Sequence, residues 1–438
     1  MSTDIEQTER ELRIYRPRGA SIPSLPAEFV WPRYEGRCVG NLGATAARLL
    51  GAELPGALPP LAEDVLGDLV EGAKRVVLLV MDGLGWIQLR RAMAQHEDLV
   101  FHRLAERGRL VPLTTTFLST TNSVLSTIWT GHPPVEHGLL AYELYLREWM
   151  MAVEAIGFSS PFEPFSNTLL RWGYEPEQFL PVPSVAQILG EQGVTSVAVI
   201  AKQFTTTPLS RMHYRGANEI RAHSYTSDLW VALRQALAYH GGERDERLLL
   251  AGYWAAVDSL AHKHGPQDET GEAEVWTMAQ LMEALFLDRL EARDRDGTLL
   301  LLTADHGLIT TPPTSTVVLG DHPELWDMLW MPPVGEGRVP FFYVRNGMEV
   351  DARAYLEASC GEHFTFLSRE EVLGSGLLGP GEPYAEVPFR LGDLVGIAKG
   401  DSSFARTEED AKRLVGRHGG LAPEEMLVPL LAVRLEDV

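Results

Sequence analysis

Uninterrupted apolar runs alternate along this chain with segments whose apolar positions recur every three or four residues. The runs "RVVLLVMDGLG" (75–85), "RLLLAGYWAAVD" (247–258) and "TLLLLTADHG" (298–307) leave no polar positions for a solvent face. Short runs bounded by Gly and Asp predict strands buried on both sides, as in a parallel sheet. "TSDLWVALRQALAYH" (226–240) and "AEVWTMAQLMEALFLDRLEARDRDG" (273–297) carry the helical period. "PSVAQILGEQGVTSVAVIA" (183–201) reads as a helix, a glycine stop and a buried strand. Strands alternating with helices predict an α/β fold, a three-layer sandwich with a central, mostly parallel sheet.

Two regions break this rhythm. Residues 1–60 are rich in Pro, Gly and Ala towards their end and predict an irregular N-terminal lead-in. From 312 to 403 the pattern shifts to short strands and one helix, predicting a smaller βαβ-like cap lobe inserted into a core formed by 1–311 with 404–438. In open α/β sheets ligands bind beyond the carboxyl ends of the strands, so the residues that close each apolar run carry the functional interest.

Composition narrows the function. The chain has 438 residues, 45% hydrophobic and 22% charged, an ordinary globular balance. No apolar run reaches the ~20 residues needed to span a bilayer, and the charged N-terminus lacks the apolar core of a secretory signal. Cys38 and Cys360 stand far apart, outside any CxxC context, which argues against a disulfide framework or thiolate zinc and fits a cytoplasmic setting. A net charge of −22 disfavours nucleic-acid polymers and anionic membranes. A small anionic substrate stays compatible if the site carries its own cations.

Three apolar runs end in a carboxylate: Asp82, Asp258 and Asp305. Taken singly, an Asp after a strand is most often a turn or cap residue. Here Asp305 is followed by His306, and Asp258 stands four residues before His262, on one side of a helical turn. His418 precedes two glycines in "GRHGGLAPEE". Three carboxylates and three imidazoles suffice for two divalent cations, zinc first, with manganese or iron as alternatives. A pair of cations roughly 4 Å apart suits in-line phosphoryl displacement, which also needs a nucleophile. "TTTFLSTTNSVLSTIWTG" (114–131) offers hydroxyls at a helix start, where free N–H groups favour a phosphate. Ser and Thr are also the usual helix caps, and spacing alone does not choose among Ser119, Thr120 and Thr121.

The order Asp-Gly after a strand, Thr-rich helix start, "DSLAHKHGP", "ADHG" and "HGG" resembles the alkaline phosphatase superfamily, most closely its type I phosphodiesterase/nucleotide pyrophosphatase branch. The resemblance covers about 75–310 and the C-terminal "RHGGLAPEEMLVPLL". It implies Thr121 as nucleophile, nine residues before Thr130-Gly131, and as a ligand of a first metal with Asp82, Asp305 and His306. It implies Asp258, His262 and His418 as ligands of a second. His262 has the family spacing, and His264 is expected at the surface or just behind the ligands. Members with a third, magnesium site carry a Glu where this chain has Tyr253, which points to diesters or pyrophosphates rather than monoesters. Tyr142 occupies the position of the branch's substrate-binding Asn in "EHGLLAYE", and a phenol can donate one hydrogen bond there. Neither cysteine fits the sulfatase pattern.

Three other functions use the same residues or fewer. A phosphomonoesterase or a phosphosugar mutase would share this core, and a non-catalytic binding protein would retain only the metal cage. His137 and His322 read as structural or substrate-facing. The aromatic segment 145–165 reads as core, or as an apolar wall for a base or lipid-like leaving group. The chain is expected to act on a small phosphate ester, as a monomer or homodimer.

Overall fold

The computed structural model describes residues 2–17, 22, 25–162 and 167–438. Its central sheet has seven strands, in the order Arg109–Thr114, Leu427–Arg434, Thr298–Thr303, Arg75–Met81, Leu248–Trp254, Thr195–Ala201 and Glu219–His223. All run parallel except Leu427–Arg434, which is antiparallel to both of its neighbours. Arg75–Met81 and Thr298–Thr303 are buried along their whole length, as their lack of polar alternation requires. Leu299, Leu300, Leu301 and Leu302 are at most 1% exposed. Each such side chain contributes about 1.5–3 kcal/mol of burial.

Strand direction decides which loops meet. The parallel strands deliver Asp82, Asp305 and the helix Ala256–His264 to one edge. Leu427–Arg434 runs the other way, so the loop before it arrives at that same edge. Arg109–Thr114 leads out there towards the helix Thr121–Thr130. Five chain segments, distant in sequence, therefore converge without any long connection.

Several details differ from the sequence reading. Within the supposed irregular lead-in, Ser2–Ile14 and Leu42–Leu49 are α-helices. The Pro and Gly clusters punctuate that region rather than pervade it. The long helix after 268 ends as regular α-helix at Leu281, then passes through a π-helical turn, Met282–Phe286, and a 3-10 turn, Leu287–Arg289. Asp258 does not close its strand, which stops at Trp254; it sits in the first turn of the next helix.

A second, antiparallel sheet has the order Phe364–Ser368, Leu394–Ala398, Pro340–Phe342, Val334–Gly335, Glu143–Leu146 and Met151–Glu154. The expected βαβ unit is present in split form. Pro340–Phe342, the helix Glu349–Cys360 and Phe364–Ser368 follow one another, but Leu394–Ala398 lies between the two strands. Its last two strands come from the segment after the Thr121 helix, so this sheet draws on more of the chain than 312–403. A separate apolar cluster under it includes Leu325, Phe342, Phe364 and Phe404. One buried ion pair ties the lobe to the core: Arg338 donates from Nε and Nη2 to both oxygens of Glu425, at 3.0 and 2.8 Å.

Candidate active site

The site begins with backbone. Asp82 N–H donates to Trp254 O at 2.9 Å, and Asp258 N–H to Asp82 O at 3.1 Å, locking the ends of two adjacent strands together. Gly83, between them, has φ +75°, and a Cβ there would lie 2.8 Å from Asp258 Cα. Only glycine meets both demands. Gly307 is constrained by close approach alone: a Cβ would stand 2.1 Å from the Glu424 carbonyl oxygen. Its N–H donates to Glu425 O at 3.0 Å, joining the loop that carries His418 to the "ADHG" turn.

On this frame the expected side chains come together. Asp258 Oδ1 lies 3.2 Å from His262 Nε2 and 3.8 Å from His418 Nε2. His306 Nε2 lies 3.5 Å from Asp82 Oδ1 and 3.5 Å from Asp305 Oδ2. The rings of His306 and His418 stack with centroids 3.7 Å apart. Ligand atoms of Asp258, His262 and His418, and of Asp82, Asp258 and His306, lie within 4.8 Å of one another in each group. Asp258 thus stands between both clusters. His264 is exposed, as expected.

Each imidazole is held by a carbonyl, which can only accept, so the facing Nδ1 carries the proton. His262 Nδ1–H donates to Gly416 O at 2.8 Å, His418 Nδ1–H to Ser119 O at 3.0 Å, and His306 Nδ1–H to Gly307 O at 3.1 Å. That tautomer turns three Nε2 lone pairs towards the carboxylates, the arrangement of metal-ligating histidine.

The electrostatics need a cation. Asp82 Oδ1, Asp258 Oδ1 and Asp305 Oδ2 are buried with no hydrogen-bond donor among the described residues. Burial, reinforced by the Asp305 and Asp258 carboxylates, pushes the Asp82 carboxyl well above its ordinary range. Burial also raises Asp258, against the opposing pull of His262 and His306. His418 is held well below the usual imidazole value by burial and by its neighbours His306 and His262. A bare carboxylate cluster of this kind is costly. Divalent cations invert that cost, and a mixed Asp/His donor set fits them.

Geometry also separates the three hydroxyls. Ser119 Oγ donates to Gly420 O at 2.8 Å and accepts from Gly419 N–H at 3.1 Å. Thr120 Oγ1 donates to Glu336 Oε1 at 2.5 Å. Thr121, the first residue of its helix, places Oγ1 3.2 Å from His306 Nε2. Of the three hydroxyls, it alone faces the histidine and carboxylate cluster.

Two hollows meet at Thr121. One, about 440 Å³, lies between core and lobe and is lined by Thr121, Tyr142, Asp258, His418, Glu336 and three arginines, among others. The other, about 180 Å³, has an apolar wall of Leu125, Ile200, Phe204, Leu209 and Tyr214. Tyr142 does line the larger cleft, 38% exposed; its backbone N–H donates to Glu336 Oε1 at 3.1 Å. Of the 145–165 segment, Ile156 reaches both hollows, whereas Trp149 packs on Trp172 and Tyr174; residues 163–165 lie outside the described chain. His137 is structural, fully buried against Thr127 at 3.0 Å, and His322 pairs with Tyr355 at 3.1 Å.

One participant, Glu336, escaped the sequence reading, and so did the contact another, Tyr253, makes. Tyr253 donates its hydroxyl to Asp82 Oδ2, so the residue that replaces the third-site Glu still serves the cluster. Its place one residue before the end of a parallel strand was the available clue. Glu336 comes from the lobe, and burial holds its carboxyl up to about 8. Nothing in "VGEGRVP" signals that role.

The family model for type I phosphodiesterase / nucleotide pyrophosphatase matches residues 76–421. No curated protein matches the sequence. Among solved structures, murine ectonucleotide pyrophosphatase / phosphodiesterase 5 is similar over 82% of this chain and 87% of its own, at 17% identity and TM-score 0.61. The human counterpart gives the same coverage and identity, at TM-score 0.63. Phosphonoacetate hydrolase from Sinorhizobium meliloti 1021 is similar over 82% of this chain and 93% of its own, at 17% identity and TM-score 0.61. Likeness at such identities establishes the shared fold.

Proposed function

The chain belongs to the type I phosphodiesterase / nucleotide pyrophosphatase family and is a phosphoester hydrolase; from that premise we propose that Thr121 is its nucleophile, acting beside two divalent cations. Asp82, Asp305, His306 and Thr121 would hold one, and Asp258, His262 and His418 the other. Zinc suits these donors best, with manganese or iron as alternatives. The cations would stabilise charge on the phosphoryl oxygens and lower the pKa of the attacking hydroxyl. The observation that carries the reading is Thr121 Oγ1, 3.2 Å from His306 Nε2, itself 3.5 Å from two of three buried carboxylate oxygens that lack a donor among the described residues.

In this mechanism Thr121 Oγ1 attacks phosphorus in line, the bond to the leaving oxygen breaks, and a phospho-threonine forms. Water then attacks phosphorus and Thr121 is released. The free N–H groups at the start of the Thr121–Thr130 helix favour a phosphoryl oxygen there. Tyr142 lies at the cleft mouth, where its phenol can donate to another. Tyr253 orients Asp82.

Diesters or pyrophosphates are the favoured substrates, because Tyr253 stands where a third, magnesium-binding Glu would be needed for monoester specialisation. Murine ectonucleotide pyrophosphatase / phosphodiesterase 5, in an inactive variant, forms a complex with AMP. The Sinorhizobium phosphonoacetate hydrolase forms complexes with phosphonoformate and with phosphonoacetate. Small phosphoryl or phosphonyl compounds are the corresponding candidates here. Among the described residues no helix is long and apolar enough to cross a membrane. Cys38 and Cys360 are free thiols, which accords with a cytoplasmic setting. The test compares bis-p-nitrophenyl phosphate with p-nitrophenyl phosphate for the parent protein and Thr121→Ala, alongside metal analysis. Diester turnover that Thr121→Ala abolishes, with two metals retained, is expected. Undiminished turnover in that variant would refute the assignment.

A further inference from the structure

The larger cleft carries three guanidinium groups, from Arg406, Arg413 and Arg417. Arg406 is neutralised: Nη1 and Nη2 donate to both oxygens of Glu143 at 2.8 and 2.9 Å. The Asp410 carboxylate, in the first turn of the helix Glu408–Arg413, accepts from Thr407 Oγ1 at 2.9 Å; it and Glu336 act on Arg417 electrostatically without a direct ion pair. Arg413 and Arg417 make no ion pair among the described residues. Arg413 is exposed at the cleft. Arg417 is only 8% exposed; its Nη2 donates to the Asp410 carbonyl oxygen at 2.9 Å, and its Nε is buried with no partner among the described residues.

A buried guanidinium with no carboxylate in direct contact and one N–H lacking an acceptor is costly, and an anionic ligand would complete it. The planar fork suits phosphate or carboxylate, and two such forks in one cleft focus the field on a single anion. Arg417 directly precedes His418, so its guanidinium adjoins the carboxylate and imidazole cluster. We propose that Arg413 and Arg417 form a seat for a second anionic group of the substrate, so that this protein prefers esters or anhydrides carrying a phosphate or carboxylate besides the phosphoryl group attacked. The inference rests on the hydrolase reading above and narrows its substrate class.

The test measures kcat/KM of the metal-loaded protein on a nucleoside triphosphate and on bis-p-nitrophenyl phosphate, which has no second anionic group. Arg413→Ala and Arg417→Lys should each lower kcat/KM for the triphosphate about 10- to 100-fold, the effect of one lost charged hydrogen bond. The bis-nitrophenyl ester should change less than about 2-fold. Arg413 is exposed, so its variant folds even if the buried Arg417 does not tolerate change. An unchanged ratio between the two substrates would overturn the proposal while leaving the hydrolase reading intact. If the parent turned over neither ester, the hydrolase reading would fail instead. Calorimetric binding of methylene-bisphosphonate would then decide the seat: weaker binding by Arg413→Ala supports it, and equal binding overturns it.

Discussion

Removing Arg338 should damage both the lobe contact and the loop carrying His418. Arg338 is fully buried, and besides its two bonds to Glu425 it donates from Nη1 to Ser402 O. Glu425 in turn accepts from Gly420 N–H at 2.9 Å and Ala422 N–H at 3.2 Å, so it shapes the turn after His418. Arg338→Met would leave a buried carboxylate with only two backbone donors. Breaking one side of such a pair costs about 3–5 kcal/mol, because the surviving charge has lost its partner in a dry site. Against a total stability of about 5–15 kcal/mol, that is a large fraction. The assay is urea unfolding of the parent, Arg338→Met, Glu425→Gln and the double variant. The double variant removes both charges and should recover at least about 1 kcal/mol relative to the sum of the singles. An Arg338→Met cost below about 1 kcal/mol, or strictly additive singles, would show that the pair is not what couples lobe to core.

Other outcomes follow from the same geometry. Tyr253→Phe deletes the donor to Asp82 and should weaken zinc binding about 10- to 100-fold in a chelator competition, with turnover restored at saturating zinc; an unchanged affinity would remove Tyr253 from the site. Gly307→Ala forces a Cβ onto the Glu424 carbonyl and should depress folding yield and metal content together, which elemental analysis reads. Burial holds the His213 imidazole down to about 3, below its unfolded value of about 6.5. Between those values the unfolded chain binds the extra proton, so His213 opposes folding increasingly as pH falls, by up to about 1.4 kcal/mol per pH unit. Urea midpoints of the parent and His213→Gln at pH 7 and 5 should therefore differ in pH slope, the variant being flatter; parallel slopes would refute this.

The chain's own order of residues determined the α/β layering, because strands buried on both faces must be apolar throughout and helices between them must be amphipathic. It also exposed Asp82, Asp305 and His306, since charged groups at the end of an apolar run have no structural economy unless something holds them. The Asp258–His262 spacing was legible for a similar reason: a helical turn brings positions four apart together. Tertiary structure alone decided the rest. That His418 meets Asp258 depends on one antiparallel strand reversing the approach of its loop, and strand direction leaves no mark in composition. Spacing alone did not separate Thr121 from Ser119 and Thr120, which the resemblance did by analogy; in the structure they differ in which hydroxyl points at His306, a matter of side-chain direction over three successive residues. Glu336 and Arg338 reach the site or its frame through contacts between lobe and core, across separations that no local pattern encodes.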